Sequence, residues 1–372
     1  MKRFLFMSAL ASVALASCVN DEAMENTSKA SDQKITFNAP VVSGLTRTPQ
    51  YGEIGNTYNT KESFNVFALW HKEKYSSWKT VANESDVYMN KVKVSHTTAD
   101  NDSYKIEGDK GNGSWTFQGE GETGPYYWPK DGYLTFAAYS PADAVGTYSM
   151  TETNGLKIDD FSVDADASKH YDLLYSELSK DQTRKNYTAE HDEYLGVDIN
   201  FNHALSSIRF MVKTKETYSN AVITLQKIEI GGVKYKGNFT QDLTPSATSP
   251  ATWSVDNDKI TDAYVAFPND ASSYVVSETA TEPSKHNDII LMPQTLTDNN
   301  DAEITVTYTM QVNGGAVIPQ TQTVKINTLS DKWEIGKRYT YNIIFTLEKV
   351  YFAPDVTDWV DVPETGTEDI DF

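Results

Sequence analysis

The sequence predicts an all-β protein built as two tandem antiparallel β-sandwich domains. Three observations carry this. Apolar residues recur with period two in segment after segment, the signature of half-buried strands. Aromatic residues make up 12% of the 372 positions, with 22 tyrosines, a mix that favours strands over helices. Finally, no stretch of ten or more residues holds a convincing 3.6-residue period. With polar turns between strands and no strand–helix–strand rhythm, sandwiches are expected rather than a parallel sheet.

The chain opens MKRFLFMSALASVALASCVNDE. Lys2 and Arg3 precede an apolar run from Phe4 to Ala16 that is too short for the ~20 residues a membrane-spanning helix needs. This reads as a secretion signal, residues 1–17. It ends Leu15-Ala16-Ser17-Cys18 and resembles the bacterial lipoprotein box, in which the cysteine is acylated and becomes the first mature residue. Cys18 is the only cysteine in the chain, so it has no disulfide partner within it, whereas a lipid needs only one thiol. The acidic residues after Cys18 are similar to the surface-export signal of Bacteroidetes lipoproteins. Residues 18–33 hold too few apolar side chains to offset their ordering entropy and read as a flexible tether.

The body is divided into 34–193 and 194–372, because the polar run SKDQTRKNYTAEHDEYLG (179–196) precedes a clean strand at Val197. In KITFNAPVV, Ile35, Phe37, Ala39 and Val41 alternate on one face, with Pro40 suiting an edge strand. SGLTRTPQYG follows, rich in turn residues and holding Arg47 and Thr48. FNVFALW and YLTFAAY are apolar on both faces, as buried strands are. ASKHYDLLYSELSK is the nearest approach to a helix and is read instead as a strand and loop. Val197, Ile199 and Phe201 alternate inward and His203 continues that face as a structural histidine. Ile304, Val306, Tyr308, Met310 and Val312 share one face, and VNGGAV (312–317) supplies a tight turn through its paired glycines. Tyr339, Tyr341, Ile343, Phe345 and Leu347 share another.

Charge and motifs exclude several functions. The net charge is −20, or −22 once residues 1–17 are removed, which repels nucleic acid and anionic membranes. There is no Gly-x-Ser-x-Gly elbow, no His-Glu-x-x-His, and no phosphate-cradling loop. The expectation is no enzyme, no catalytic residue, no cofactor and no metal. The acidic loops at 99–113, 158–168 and 297–303 lack a complete calcium ligand pattern and read as solvated hairpin tips. Tyr126, Tyr127 and Trp128, with Trp78, Trp115 and Trp253, raise the alternative of aromatic stacking on a sugar.

Seven segments together resemble the fimbrillin family of Bacteroidetes, the subunits of type V pili and their surface-lipoprotein relatives. They are ITFNAPVVSGLTRTP (35–49), YYWPKDGYLTFAAYSP (126–141), YDLLYS (171–176), VDINFNHALSSIRFMV (197–212), LMPQTL (291–296), WEIGKRYTYNIIF (333–345) and VTDWVDV (356–362). The resemblance implies transthyretin-like sandwiches, outer-membrane anchoring through the Cys18 lipid, and partners that are other pilus subunits. It also implies assembly by strand exchange: the first strand fills a groove, a protease cuts between Arg47 and Thr48, and a neighbour's strand takes the vacated groove. In the tail 350–372, Val356, Trp359 and Val362 are the anchors of a candidate donor strand; the same tail also reads as a frayed acidic end. The alternative function is a non-polymerising surface lipoprotein that binds a host glycan or protein.

Overall fold

The computed structural model describes residues 35, 37, 40–46, 55–57, 63–74, 85–97, 114–117, 126–150, 155–184, 196–241, 251–267, 273–283 and 288–359. Among these the regular structure is strand, with single turns of 3₁₀ helix at Ala167–Lys169 and Ile326–Thr328. No helix among them is long and apolar enough to cross a membrane.

A nine-stranded sheet is centred on Ser63–His71 and Tyr133–Ser140. Both strands are buried on two faces, as their unbroken apolar sequences predict. Phe64, Val66, Leu134 and Phe136 point into one core and Phe67, Leu69, Ala137 and Tyr139 into a second. The first core is formed by residues of this sheet and the segments leading into it, so the sheet curls around them. The second is closed by a four-stranded sheet, Ala251–Val255, Lys236–Gln241, Leu156–Ser162 and Thr147–Met150. Tyr148 of that sheet stacks on Tyr139 at 3.6 Å. Gln241, fully buried, ties the layers by donating to the Ser176 carbonyl at 2.8 Å.

The remaining chain forms a sandwich. One layer has the order Ile289–Leu291, Ser206–Thr214, Lys337–Phe345, Val350–Asp358. The other has Tyr264–Phe267, Ala221–Gly231, Glu303–Val312, Val317–Lys325, with Tyr274–Val275 also paired to Ala221–Gly231. The predicted inward residues meet here: Ile304, Val306 and Tyr308 from one layer, Tyr341, Ile343 and Phe345 from the other.

Several expectations are corrected in detail. Two pairings are parallel rather than antiparallel: Val41–Thr46 with Asn200–His203, and Ser206–Thr214 with Lys337–Phe345. Each joins strands far apart in sequence, as parallel neighbours require. Strand pairing also crosses the division at 193/194. Asn200–His203 belongs to the nine-stranded sheet, and Lys236–Gln241 pairs with Leu156–Ser162. Part of the polar run is itself a strand, Ser179–Gln182, against Tyr133–Ser140. Composition alone marks that run as a linker, whereas Val197, Ile199 and Phe201 just beyond it complete the first core. At the 312–317 turn the left-handed residues are Asn313 (φ 52°) and Gly314 (φ 68°), not the two glycines. Val312 (37% exposed), the last residue of its strand, and Leu347 (38%), beyond the end of Lys337–Phe345, lie past the end of the core and are not covered.

Candidate functional site

Ile35 and Phe37 are buried in the first core. The Ile35 N–H donates to the Tyr126 carbonyl at 2.8 Å, and Phe37 bridges Val197 in parallel. The Phe37 ring meets Phe64 and Phe136 edge-on, at 6.0 and 5.9 Å between centroids, the geometry that aromatic quadrupoles favour. Beyond Pro40 the chain continues as Val41–Thr46, between Asn200–His203 and the short strand Gly55–Thr57. Val42 is buried as well, a position that unbroken alternation from Ile35 would turn outward. Ala39 lies outside the described residues, and of Val41 the backbone pairing with Asn200 is described.

Arg47 and Thr48 follow this strand directly, and they, with Cys18, lie outside the described residues.

The candidate donor is bound within its own chain. Val350–Asp358 pairs with Lys337–Phe345 from Val350↔Phe345 to Asp358↔Lys337. Val356 points to solvent, 49% exposed, while Trp359 is 1% exposed. The three-residue spacing between them breaks period two because the strand ends at Asp358 and Trp359 turns into the core. Gly336, at φ +67°, makes the tight turn whose carbonyl accepts the Trp359 N–H at 3.0 Å. Residues 350–359 are therefore not a free donor strand in this structure. Val362 lies outside the described residues.

Trp359 stacks on His203, which sequence assigned a structural role. His203 Nδ1 donates to Asp172 Oδ2 at 2.7 Å, with both side chains buried. His203 Nε2, Asp172 Oδ1 and Trp359 Nε1 have no hydrogen-bond partner. Asp172 was missed in sequence; the inward position of His203 on its strand was the available signal.

A second cluster was also missed. Asp288 accepts from Ser207 Oγ at 2.5 Å, Arg338 Nε at 2.9 Å and Arg209 Nε at 2.8 Å. Burial pushes its carboxyl up, and Arg338 and Arg209 more than offset that, leaving it below the usual carboxylate range.

Most of the remaining described candidates resolve as structure; Tyr127 is 44% exposed, while Trp78, the side chain of Trp115 and the acidic loop 99–113 lie outside the described residues. Trp128 is buried and packs edge-on against Phe136 at 6.1 Å, so it offers no open ring to a sugar. Trp253 donates its indole N–H to the Ala204 carbonyl at 2.7 Å. The segment 158–168 is not a solvated hairpin tip: residues 158–162 belong to the strand Leu156–Ser162, with Ile158 and Phe161 buried in the core, and beyond it Asp166 accepts from the Ser168 N–H and hydroxyl at 3.0 and 2.7 Å and so caps the 3₁₀ turn. In the 297–303 loop, Asp301 pairs with Lys259 at 2.6 Å. Among the described residues no group of three or more His, Cys, Asp or Glu is placed to hold a metal ion.

The model of the fimbrillin-like family matches residues 47–359. The chain belongs to the fimbrillin-like family. Membership makes it a structural rather than a catalytic protein. Among solved structures, a fimbrial protein from Bacteroides vulgatus is similar over 88% of this chain and 100% of its own, at 17% identity and a TM-score of 0.60, and shares the fold. A protein from Bacteroides uniformis assigned to cell adhesion is 18% identical over 87% of this chain and 97% of its own, at a TM-score of 0.46. No curated protein matches this fimbrillin-like chain.

Proposed function

We propose that this fimbrillin-like chain is a structural subunit of a surface fimbria of the type V pilus kind. It is exported as a lipoprotein, anchored in the outer membrane through Cys18, cut after Arg47, and joined to other subunits by strand exchange. The observation that supports this is the first segment. Ile35, Phe37 and Val42 fill one core beside Asn200–His203, and the strand they lead into ends at Thr46, one residue before Arg47. Three such side chains contribute roughly 1.5–3 kcal/mol each before ordering costs. Their removal would uncover Phe64, Phe136 and Phe201 and open the edge of Asn200–His203, a template for an incoming strand. The donor in this reading is the chain beyond Trp359, Val362 included, because Val350–Asp358 is already paired. A sugar-binding platform at Trp128 has no part in it, since Trp128 packs inward.

The test is amino-terminal sequencing of protein recovered from cells, with and without arginine-specific proteolysis. The expected result is a new start at Thr48 together with heat-resistant multimers, both abolished by Arg47→Ala. A stable monomer that keeps its first segment after proteolysis overturns the proposal and leaves the non-polymerising surface lipoprotein.

A further inference from the structure

The outer face of the five-stranded sheet differs in charge from the chain as a whole. Its strands carry four charged residues, Lys227, Glu229, Glu303 and Lys325. All four alternate with buried or partly buried apolar neighbours and so point outward. They neutralise one another on that face: Lys227 meets Glu229 at 2.6 Å, and Lys325 meets Glu303 at 2.6 Å. The face thus carries no net charge on a molecule of net charge −20.

The rest of the face is mainly threonine and valine, with Gln311 and Pro319 among them. Thr305 lies beside Thr323 and Thr307 beside Thr321 in register, and the Thr305 and Thr323 hydroxyls are 3.0 Å apart. Val222 (46% exposed), Val275 (62%) and Val317 (58%) project from the same side. The long outer strand beside them, Val317–Lys325, carries Pro319 in its path, and Val350–Asp358 on the opposite layer carries Pro354. A proline lacks the N–H that an added strand needs, so both edges are blunted.

We propose that this face is a homotypic contact: a second copy of the same chain packs on it, sheet against sheet, about a two-fold axis. Copies of a strongly acidic chain repel on approach, and that repulsion is least where charges are already paired. A self-complementary contact places threonine and valine against threonine and valine, at the ~10 Å spacing of stacked sheets. A face about 35 Å long and four strands wide covers roughly 600 Å², the low end of what a specific contact uses per partner. One such contact is weak. Repeated along a polymer it becomes strong by avidity, which gives lateral bundling of fimbriae; this last step rests on the fimbrial reading above.

The experiment is sedimentation equilibrium of the full chain with Cys18→Ser, which removes the lipid. The expected result is a reversible dimer at concentrations on the order of 100 µM, tightening as salt screens the repulsion. Val275→Glu and Thr321→Glu should each weaken it at least tenfold while leaving the urea midpoint in place. Glu348→Lys, beyond the sheet, should change it little. A chain that stays monomeric at millimolar concentration overturns the proposal, as does a dimer indifferent to Val275→Glu. If deletion of 360–372 alone permits dimerisation, the face belongs to the chain's own tail and the proposal likewise falls. Multimers formed by Val275→Glu after arginine-specific cleavage are read separately. Their absence, when unsubstituted chain also fails to form them, counts against strand exchange and not against this face.

Discussion

Trp359 stacks on His203 with ring centroids 3.9 Å apart and planes 11° from parallel. The contact joins the end of the last strand to the nine-stranded sheet, two regions more than 150 residues apart in sequence. Trp359→Ala removes a fully buried indole and leaves a cavity beside the His203–Asp172 pair, at a cost of about 3–5 kcal/mol. Val356→Ala, on an exposed side chain, is expected to stay within about 0.5 kcal/mol. Urea unfolding of both variants checks the contrast, and equal effects would refute the placement of Trp359.

Phe37 sits between Phe64 and Phe136 and is 5% exposed. Phe37→Ala should cost about 3–5 kcal/mol and raise binding of a hydrophobic dye at native pH. If the first segment contributes little to the core, the unfolding midpoint and the dye signal will both match those of the unsubstituted protein.

His170 gives a pH dependence with a defined sign. Burial holds its imidazole down to about 4, against the opposing pull of the Asp164 carbonyl it donates to and of the Asp164 and Asp166 charges. Its ordinary value is 6.5, so between 6.5 and about 4 the unfolded chain binds the proton more readily. Stability therefore falls as pH drops through that window and levels off below it. The full shift is worth on the order of 3 kcal/mol. His71, also lowered chiefly by burial, acts in the same direction. Urea titrations at pH 7.5, 5.5 and 4 should show a slope that His170→Gln, which keeps a donor, makes shallower; an unchanged slope would assign the effect elsewhere.

The sandwich class was legible because burial on a strand follows period two whatever the topology. Ile304, Val306 and Tyr308, or Tyr341, Ile343 and Phe345, declare their face locally. Parallel pairing and the shared core were not legible, because nothing in the Ser206–Thr214 segment names Lys337–Phe345 as its neighbour. Pairing across 193/194 was not legible for the same reason: Asn200–His203 reads as a strand, and its partners lie elsewhere in the chain. Of the candidate site, the inward faces of Ile35 and Phe37 were readable, whereas Val42 was not, since alternation carries no information past Pro40. Buried polar groups such as Asp172 and Asp288 look like any surface carboxylate until their partners are in place.

Asp288 shows what those partners do. With Arg338 and Arg209 holding its carboxyl below the usual range against the opposing effect of burial, its contribution is present above the unfolded value of 3.8 and is lost as pH falls through the lower folded one. That window lies below the one set by His170, so stability should fall with pH in two distinguishable ranges. Asp288→Ala takes from the buried Arg338, 5% exposed, the carboxylate it pairs with at 2.9 Å, and should cost about 3–5 kcal/mol at neutral pH. A loss under about 1 kcal/mol would mean that the cluster behaves as a surface ion pair.

Pro319 and Pro354 supply the last prediction. Each sits within a nine-residue outer strand of the C-terminal sandwich, opposite Thr309 and Tyr341 respectively. A strand that long with regular backbone groups is a template for edge pairing between molecules. Replacing the proline with threonine restores the missing N–H while keeping a residue suited to a strand. Pro319→Thr and Pro354→Thr should each leave the native fold intact, since the backbone there is already extended, yet promote sheet-like aggregation. Light scattering and thioflavin fluorescence at about 100 µM should rise for each variant and most for the pair, because two open edges allow a chain of contacts where one gives a dimer. If the double variant remains as soluble as the unsubstituted protein, the prolines do not guard the edges, and the outer strands must be protected by charge alone.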